Sequence, residues 1–252
     1  MAPSLPGAPA SSAARPPSNR DLAYEHIRDL IVRGDEPPGA LLSENDLALR
    51  LDLSRTPVRE ALLLLSQEGL VDIRPQRGSY VSLIDPDMVR QAQFVREAIE
   101  VASLEACIEN WTPEQGAEIE ELLAAQASCT TREDFYPLDE QFHRTLLAIA
   151  GHESAWTAVQ SAKGHLDRAR YLGLSGYRSI GEYAADHRRL HEAVAQGNLE
   201  AARDELRAHL RFVLDDLEQI QAARPELFRA PSGPERRPAR PARRPARTLD
   251  PS

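Results

Sequence analysis

In the string LDEQFHRTL, Asp139 and His143 stand four residues apart, so on a helix both project from one face. His187, in DHRRLHEAVAQGN, and His209, in DELRAHL, lie on two later helical segments. A helical bundle can bring residues from three helices to one interior point. One carboxylate and three imidazoles suit a divalent transition metal (Zn, Ni, Fe or Mn) better than Mg or Ca. The spacing alone leaves alternatives open. An i,i+4 Asp/His pair also suits a solvated face, and His187 with His191 is a competing i,i+4 pair. Arg96 and Glu100 share the same spacing and could be a surface ion pair. His26, His152 and His165 show no partner pattern and read as ordinary polar residues.

A second group has a different chemistry. In SRTPVREALLLLSQEGL, Arg55, Thr56 and Arg59 fall within about 100° on a helical wheel. Val58, Ala61, Leu62 and Leu65 take another face. An Arg/Thr face at the start of a helix suits a DNA major groove, where Arg donates bidentately to guanine. Arg77 and Gly78 stand at a turn, where a missing side chain permits close approach to a sugar–phosphate backbone. The bland alternative is that these arginines are surface charges.

The elements needed to position these groups are legible. DLAYEHIRDLIVR places Tyr24, Ile27, Leu30 and Ile31 on one stripe, and Gly34 ends it. Ser43 caps a second helix that turns Leu47, Ala48 and Leu51 inward. The third helix follows a break at Asp52, with Ser54 or Thr56 as cap and Pro57 in its first turn. LVDIRPQRGSYVSLI then alternates about a Pro75–Gly78 turn, as a β-hairpin does. Beyond Pro86 the pattern is helical, near 86–110, 113–129, 133–150, 153–172, 177–196 and 198–221. The fold class is mainly α: an N-terminal winged helix-turn-helix with a small β-hairpin, and a C-terminal all-α helical bundle. Residues 1–19 read as a disordered tail, 20–84 as the winged unit and 85–223 as the bundle. Residues 224–252 read as a disordered Arg/Pro-rich tail.

The net charge of −9 is unevenly spread. Residues 1–20 carry +2, 21–84 carry −4, 85–223 carry −12 and 224–252 carry +5. Screening falls off over about 8 Å at physiological salt, so a local arginine face can meet DNA on an acidic body. The last segment could serve as a cationic arm. Two cysteines without CxxC spacing exclude a disulfide framework and a cysteine zinc finger, and fit a reducing cytoplasm. No apolar stretch approaches the ~20 residues that span a bilayer, and no secretory signal is legible, so no membrane role is expected.

The run LSENDLALRLDLSRTPVREALLLLSQEGLVDIRPQRGSYV resembles the winged-helix signature of GntR-type bacterial transcription regulators, over residues 21–82. The resemblance implies that Ser54, Arg55, Thr56 and Arg59 contact DNA and that Gly78, beside Arg77, sits at the wing. A basic residue common in that family's second helix is Asn45 here, and its usual turn glycine is Asp52. Leu63 and Leu64 stand where polar residues are usual, which predicts a partner for at least one of them.

FVREAIE, LDEQFHRTLLAIAG, DHRRLHEAVAQGN and RAHL are similar, in order and spacing, to the C-terminal FCD-type ligand-binding domain of the FadR subfamily. That resemblance implies that Asp139, His143, His187 and His209 hold a metal and that Arg96 contacts an acidic effector. The short linker after Val81 points to the six-helix variant of the domain. The expected protein is a cytoplasmic transcription regulator, most simply a repressor. It would bind a near-palindromic operator as a homodimer and respond to a small carboxylate. Two rivals remain. One is a metal sensor in which the ion is itself the signal. The other is a metal-dependent hydrolase fused to a DNA-binding domain, which the absence of HExxH and of any evident general base disfavours, so no enzyme is expected.

Overall fold

The computed structural model describes residues 17–174 and 178–230. Helix α1 (Asn19–Arg33) opens on a capping box between Ser18 and Asp21 and closes on Gly34 at φ +82°. Ser43 caps α2 (Glu44–Arg50), and α3 (Arg55–Gln67) follows Ser54, whose hydroxyl makes no capping bond. Asp52, in the turn between them, adopts φ +52°, a left-handed conformation that Asp tolerates better than most residues. Strands β2 (Val71–Arg74) and β3 (Gly78–Val81) form the hairpin. A further strand, β1 (Leu41–Leu42), pairs with β3, so the sheet has three antiparallel strands in the order β1-β3-β2. Two residues show no periodicity, so only the hairpin is legible in the sequence. Ile27, Ile31, Leu47, Val58, Leu62 and Val81 close one apolar core beneath these elements.

Seven helices follow among the described residues: α4 (Pro86–Glu109), α5 (Pro113–Ser128), α6 (Arg132–Ile149), α7 (Ala155–Ala162), α8 (Gly164–Gly173), α9 (Ile180–Ala195) and α10 (Leu199–Ala223). The single helix expected over 153–172 is two, broken at Lys163. The break has a packing reason. A Cβ on Gly164 would lie 2.9 Å from Leu70 Cγ, so only glycine lets the start of α8 press against the winged unit. A large core joins α4, α5, α6, α9 and α10 around Leu104, Ile119, Phe142, Leu190 and Leu206. A smaller one joins Ile84, Val89, Leu166, Val213 and Leu217.

That smaller core also corrects the boundary of the C-terminal tail. A 3-10 turn at Pro225–Leu227 returns the chain to the interdomain linker. The Ile84 N–H donates to the Leu227 carbonyl at 2.9 Å, and the Arg229 N–H donates to the Ile84 carbonyl at 2.8 Å. Leu227 and Phe228 are buried. Residues 224–230 are therefore structure, not tail: two apolar side chains there find a core, and the prolines lie outside the paired positions. At the other end α1 and its cap already occupy 18 and 19. The remainder of both assigned tails, 1–16 and 231–252, lies outside the described residues. Phe228→Ala should lower the unfolding free energy by about 3 kcal/mol in chemical denaturation. Arg229→Ala, at an exposed ion pair with Asp85, should cost under about 1 kcal/mol.

Candidate metal centre and nucleic-acid interface

Helix α6 supplies Asp139 and His143 one turn apart, α9 supplies His187 and α10 supplies His209. All four are buried, and one ligand atom from each lies within 4.8 Å of the others. Nε2 of His209 is 3.2 Å from Nε2 of His143 and 3.1 Å from Nε2 of His187. Asp139 Oδ1 stands 3.5 Å from His187 Nε2 and 4.0 Å from His143 Nε2. Ligands at metal bond lengths of about 2.0–2.1 Å sit roughly 2.9–3.4 Å apart, so the four atoms are close to that spacing.

The hydrogen-bond network fixes which way each ring faces. His143 Nδ1 lies 2.7 Å from the Glu100 carboxylate, and His187 Nδ1 lies 2.8 Å from Gln126 Oε1. Gln126 spends its amide N–H on the Leu138 carbonyl at 3.0 Å, so its oxygen faces the imidazole. Both rings therefore donate from Nδ1 and turn an Nε2 lone pair toward His209. One His209 proton cannot serve both lone pairs. A cation at the centre can, and the donor set fits a divalent transition metal held by Asp139, His143, His187 and His209.

Electrostatics keep His187, His209 and Asp139 in ligating form. Burial, then the neighbouring His209, holds His187 well below the ordinary imidazole value. Burial brings His209 down to about 4. For Asp139, burial pushes the carboxyl up, but Arg170 and then His143 outweigh it, and the group lies well below the usual carboxylate range. Asp139 Oδ2 accepts from Arg170 Nη2, leaving Oδ1 to face the histidines.

Beside this cluster is a small cleft of about 20 Å³, lined by Arg96, Arg170, Tyr183, His209 and Asp216 among others. Arg96 does pair with Glu100, as its spacing allowed, but the pair is buried: Nε to Oε1 is 2.6 Å. Arg96 Nη2 is buried without a hydrogen-bond partner among the described residues. Tyr183 donates to Asp216 at 3.0 Å. The competing His191 lies elsewhere, with Nε2 3.0 Å from Glu120 and its ring against Trp111. Glu100, Gln126, Arg170, Tyr183 and Asp216 were missed as site residues. Glu100 alone carried a signal, four residues after Arg96. Arg170, on α8, meets Asp139, on α6, 31 residues away in sequence.

On the winged unit, Ser54, Arg55, Thr56, Arg59, Arg77 and Gly78 are all exposed. Glu44, at the start of α2, accepts from Arg55 Nη2 at 3.0 Å and from Arg59 Nε and Nη2 at 3.0 and 2.9 Å. The Arg59 hydrogen bonds are the main cause of a lowered Glu44 carboxyl. Gly78 is set by the fold as well as by its surface position: φ is +104°, and a Cβ would lie 3.0 Å from Leu41 Cδ1. Leu63 is exposed and Leu64 half-buried.

His165 was read as an ordinary polar residue, yet it sits buried at the junction of the two units. Its Nδ1 accepts the Asp85 N–H at 3.2 Å, and a Cβ on Gly69 would lie 3.2 Å from its Nε2. Burial holds it at about 4. His209 and His165 thus titrate near 4 in the fold, against about 6.5 in an unfolded chain. Below that value the unfolded chain binds more protons. Stability is fully present above pH 6.5 and is lost as pH falls toward 4. By pH 5 each imidazole should have cost on the order of 1–2 kcal/mol. Denaturation of metal-free protein at pH 7 and pH 5 checks this. Glu100, held at about 2 mainly by Arg96 and His143 against the opposing effect of burial, matters only in a lower window.

A winged helix-turn-helix joined to an all-α domain is the architecture of a DNA-binding regulator. Residues 19–81 match the model for bacterial regulatory proteins of the gntR family, and residues 91–212 match the FCD domain. A regulator in an unstable DNA locus of Streptomyces ambofaciens, of HTH type, is 46% identical over 84% of this chain and 90% of its own. The HTH-type transcriptional repressor RspR of Escherichia coli K12 is 33% identical over 84% of this chain and 94% of its own. The structure of E. coli McbR/YncC superposes with a TM-score of 0.69 at 20% identity, over 80% of this chain and 98% of that one, a likeness of fold. The chain belongs to the GntR family and is a transcriptional regulator of the GntR/FCD type, not an enzyme. Among the described residues no helix is long and apolar enough to cross a membrane.

Proposed function

We propose that this regulator is a FadR-subfamily repressor whose hold on a near-palindromic operator changes when a small carboxylate enters the cleft beside a metal. The observation that carries the reading is the pair of inward Nε2 lone pairs next to a buried, uncommitted Arg96 Nη2. Asp139, His143, His187 and His209 would hold the ion. The ion would supply positive charge and open coordination positions for carboxylate oxygens. Arg96 would add a charged donor at the same wall. An anionic effector would otherwise meet the −12 of residues 85–223. A repressor among the relatives supports the direction of control.

Ser54, Arg55, Thr56 and Arg59 read the major groove in this proposal, and Arg77 and Gly78 meet the backbone. The homodimer is supported by the face shared by α4 and α10. There Phe94 is 75% exposed beside Ala98, Val101 and Ala102, and arginines and glutamates flank it. Two copies related by a twofold axis can match such a face to itself. Cytoplasmic action follows from the regulatory role.

Elemental analysis of purified protein, with calorimetric titration of small mono-, di- and tricarboxylates, tests the site. His143→Ala should lose metal and carboxylate binding together, and Arg96→Ala should keep metal and lose carboxylate. Wild-type protein that takes up no transition metal defeats the assignment. Operator affinity that follows metal with no carboxylate present would shift the reading to metal sensing. For DNA, Arg59→Ala should cost about 1–3 kcal/mol on the preferred sequence and less on scrambled DNA. An equal loss on both would reduce Arg59 to a phosphate contact.

A further inference from the structure

The metal site proposed above is joined to the DNA-binding unit by an unbroken run of ion pairs. Asp139 turns Oδ1 toward the histidines and gives Oδ2 to Arg170 Nη2. Arg170 Nη1 donates to Glu140 Oε1 at 2.6 Å and lies 3.9 Å from Asp167 Oδ1. Asp167 gives its other oxygen to Arg28 Nη2, and Lys163 stands 3.2 Å from that same oxygen. Lys163 also pairs with Glu140. Arg28 belongs to α1; the rest belong to α6, α8 and the break before α8. Three carboxylates meet three cations, and Asp167 is wholly buried.

One atom in this run is out of balance. Asp167 Oδ1 is buried with no partner at hydrogen-bond distance, and both the Arg170 guanidinium and the buried, equally unpartnered Tyr136 hydroxyl stand by this carboxylate. Arg170 therefore has two competing carboxylates, Asp139 at the site and Asp167 at the junction. A divalent cation on Oδ1 of Asp139 would share that carboxylate's charge and repel the guanidinium behind it. The open acceptor on Asp167 is where Arg170 would go. An Asp167 that holds Arg170 holds Arg28 less strongly, because one carboxylate then serves an extra cation.

We propose that Arg170 and Asp167 are positioning residues of a buried ion-pair relay: filling the metal site shifts Arg170 from Asp139 toward Asp167 and loosens the tether to Arg28 on α1. The relay rests on the metal reading and gives it a physical route to the DNA-binding unit. Coupling of this kind is reciprocal, so a weaker tether should also tighten metal binding.

The test uses the full chain and Zn²⁺ alone. Zn²⁺ affinity is read by chelator competition and α1 by hydrogen exchange of its amides. In wild type, Zn²⁺ should speed α1 exchange by at least about fivefold. In Arg28→Gln, α1 exchange should be fast already and unmoved by Zn²⁺, with Zn²⁺ affinity raised by a similar factor. Arg28→Lys, which keeps the cation, should restore part of the response. The relay is overturned if wild type binds Zn²⁺ with no change in α1, or if Arg28→Gln responds as wild type does. Wild type that binds no Zn²⁺ overturns the metal reading, and the relay with it; the affinity measurement separates that case from the others. If Arg28→Gln does not fold, the wild-type and Arg28→Lys exchange data still decide.

Discussion

The arrangement on which the bundle depends is the meeting of three imidazole Nε2 atoms and one carboxylate oxygen in a buried interior. Left to themselves these atoms are a poor fit, since lone pairs face one another. Three of the four are nevertheless held from behind, His143 by Glu100, His187 by Gln126 and Asp139 by Arg170, while His209 Nδ1 stands 3.6 Å from Asp186. Those holders are themselves spoken for, Gln126 by the Leu138 carbonyl and Glu100 by Arg96. Helices α4, α5, α6, α8, α9 and α10 thus each contribute a polar side chain to one centre. A bundle built only to bury apolar surface would have no use for them, because buried polar groups cost stability unless each finds its partner.

The winged unit follows the opposite logic. Its DNA-facing polar groups are exposed, and its core is apolar. The contrast explains how much could be read from the chain. Exposed Arg55, Thr56 and Arg59 share a short local segment, and their relation is set by helix geometry alone. Asp139 and His143 are equally local. That His187 rather than His191 joins them depends on the rotation of α9 in the bundle, which no i,i+4 pattern fixes. Resemblance to relatives could choose between them; residue spacing could not.

The rest was hidden for two physical reasons. Glu100 and Arg96 make the same pair buried as they would exposed, so spacing cannot tell a wall of a cleft from a surface. Arg170, Tyr183 and Asp216 have partners 31 to 33 residues away, beyond any local spacing. The break at Lys163 answers to Gly164 against Leu70, a contact between distant parts of the sequence. Likewise Leu227 and Phe228 look like the start of a proline-rich tail until Ile84 offers them a core.

That last contact has a consequence for how the molecule is made. Ile84 lies in the short linker between the two units, and the residue that seats on it comes from the far end of the chain. During synthesis the winged unit can complete its core as soon as Val81 has emerged, because all its strands and helices precede that point. The linker, by contrast, stays unclasped until nearly all of the bundle has left the ribosome. A nascent chain can therefore own a finished DNA-reading face before α8 and then the clasp fix its bearing on the effector domain. Only a chain that runs past Phe228 adds this clasp to the contacts made by α8, so premature termination anywhere in α10 would release a regulator without it.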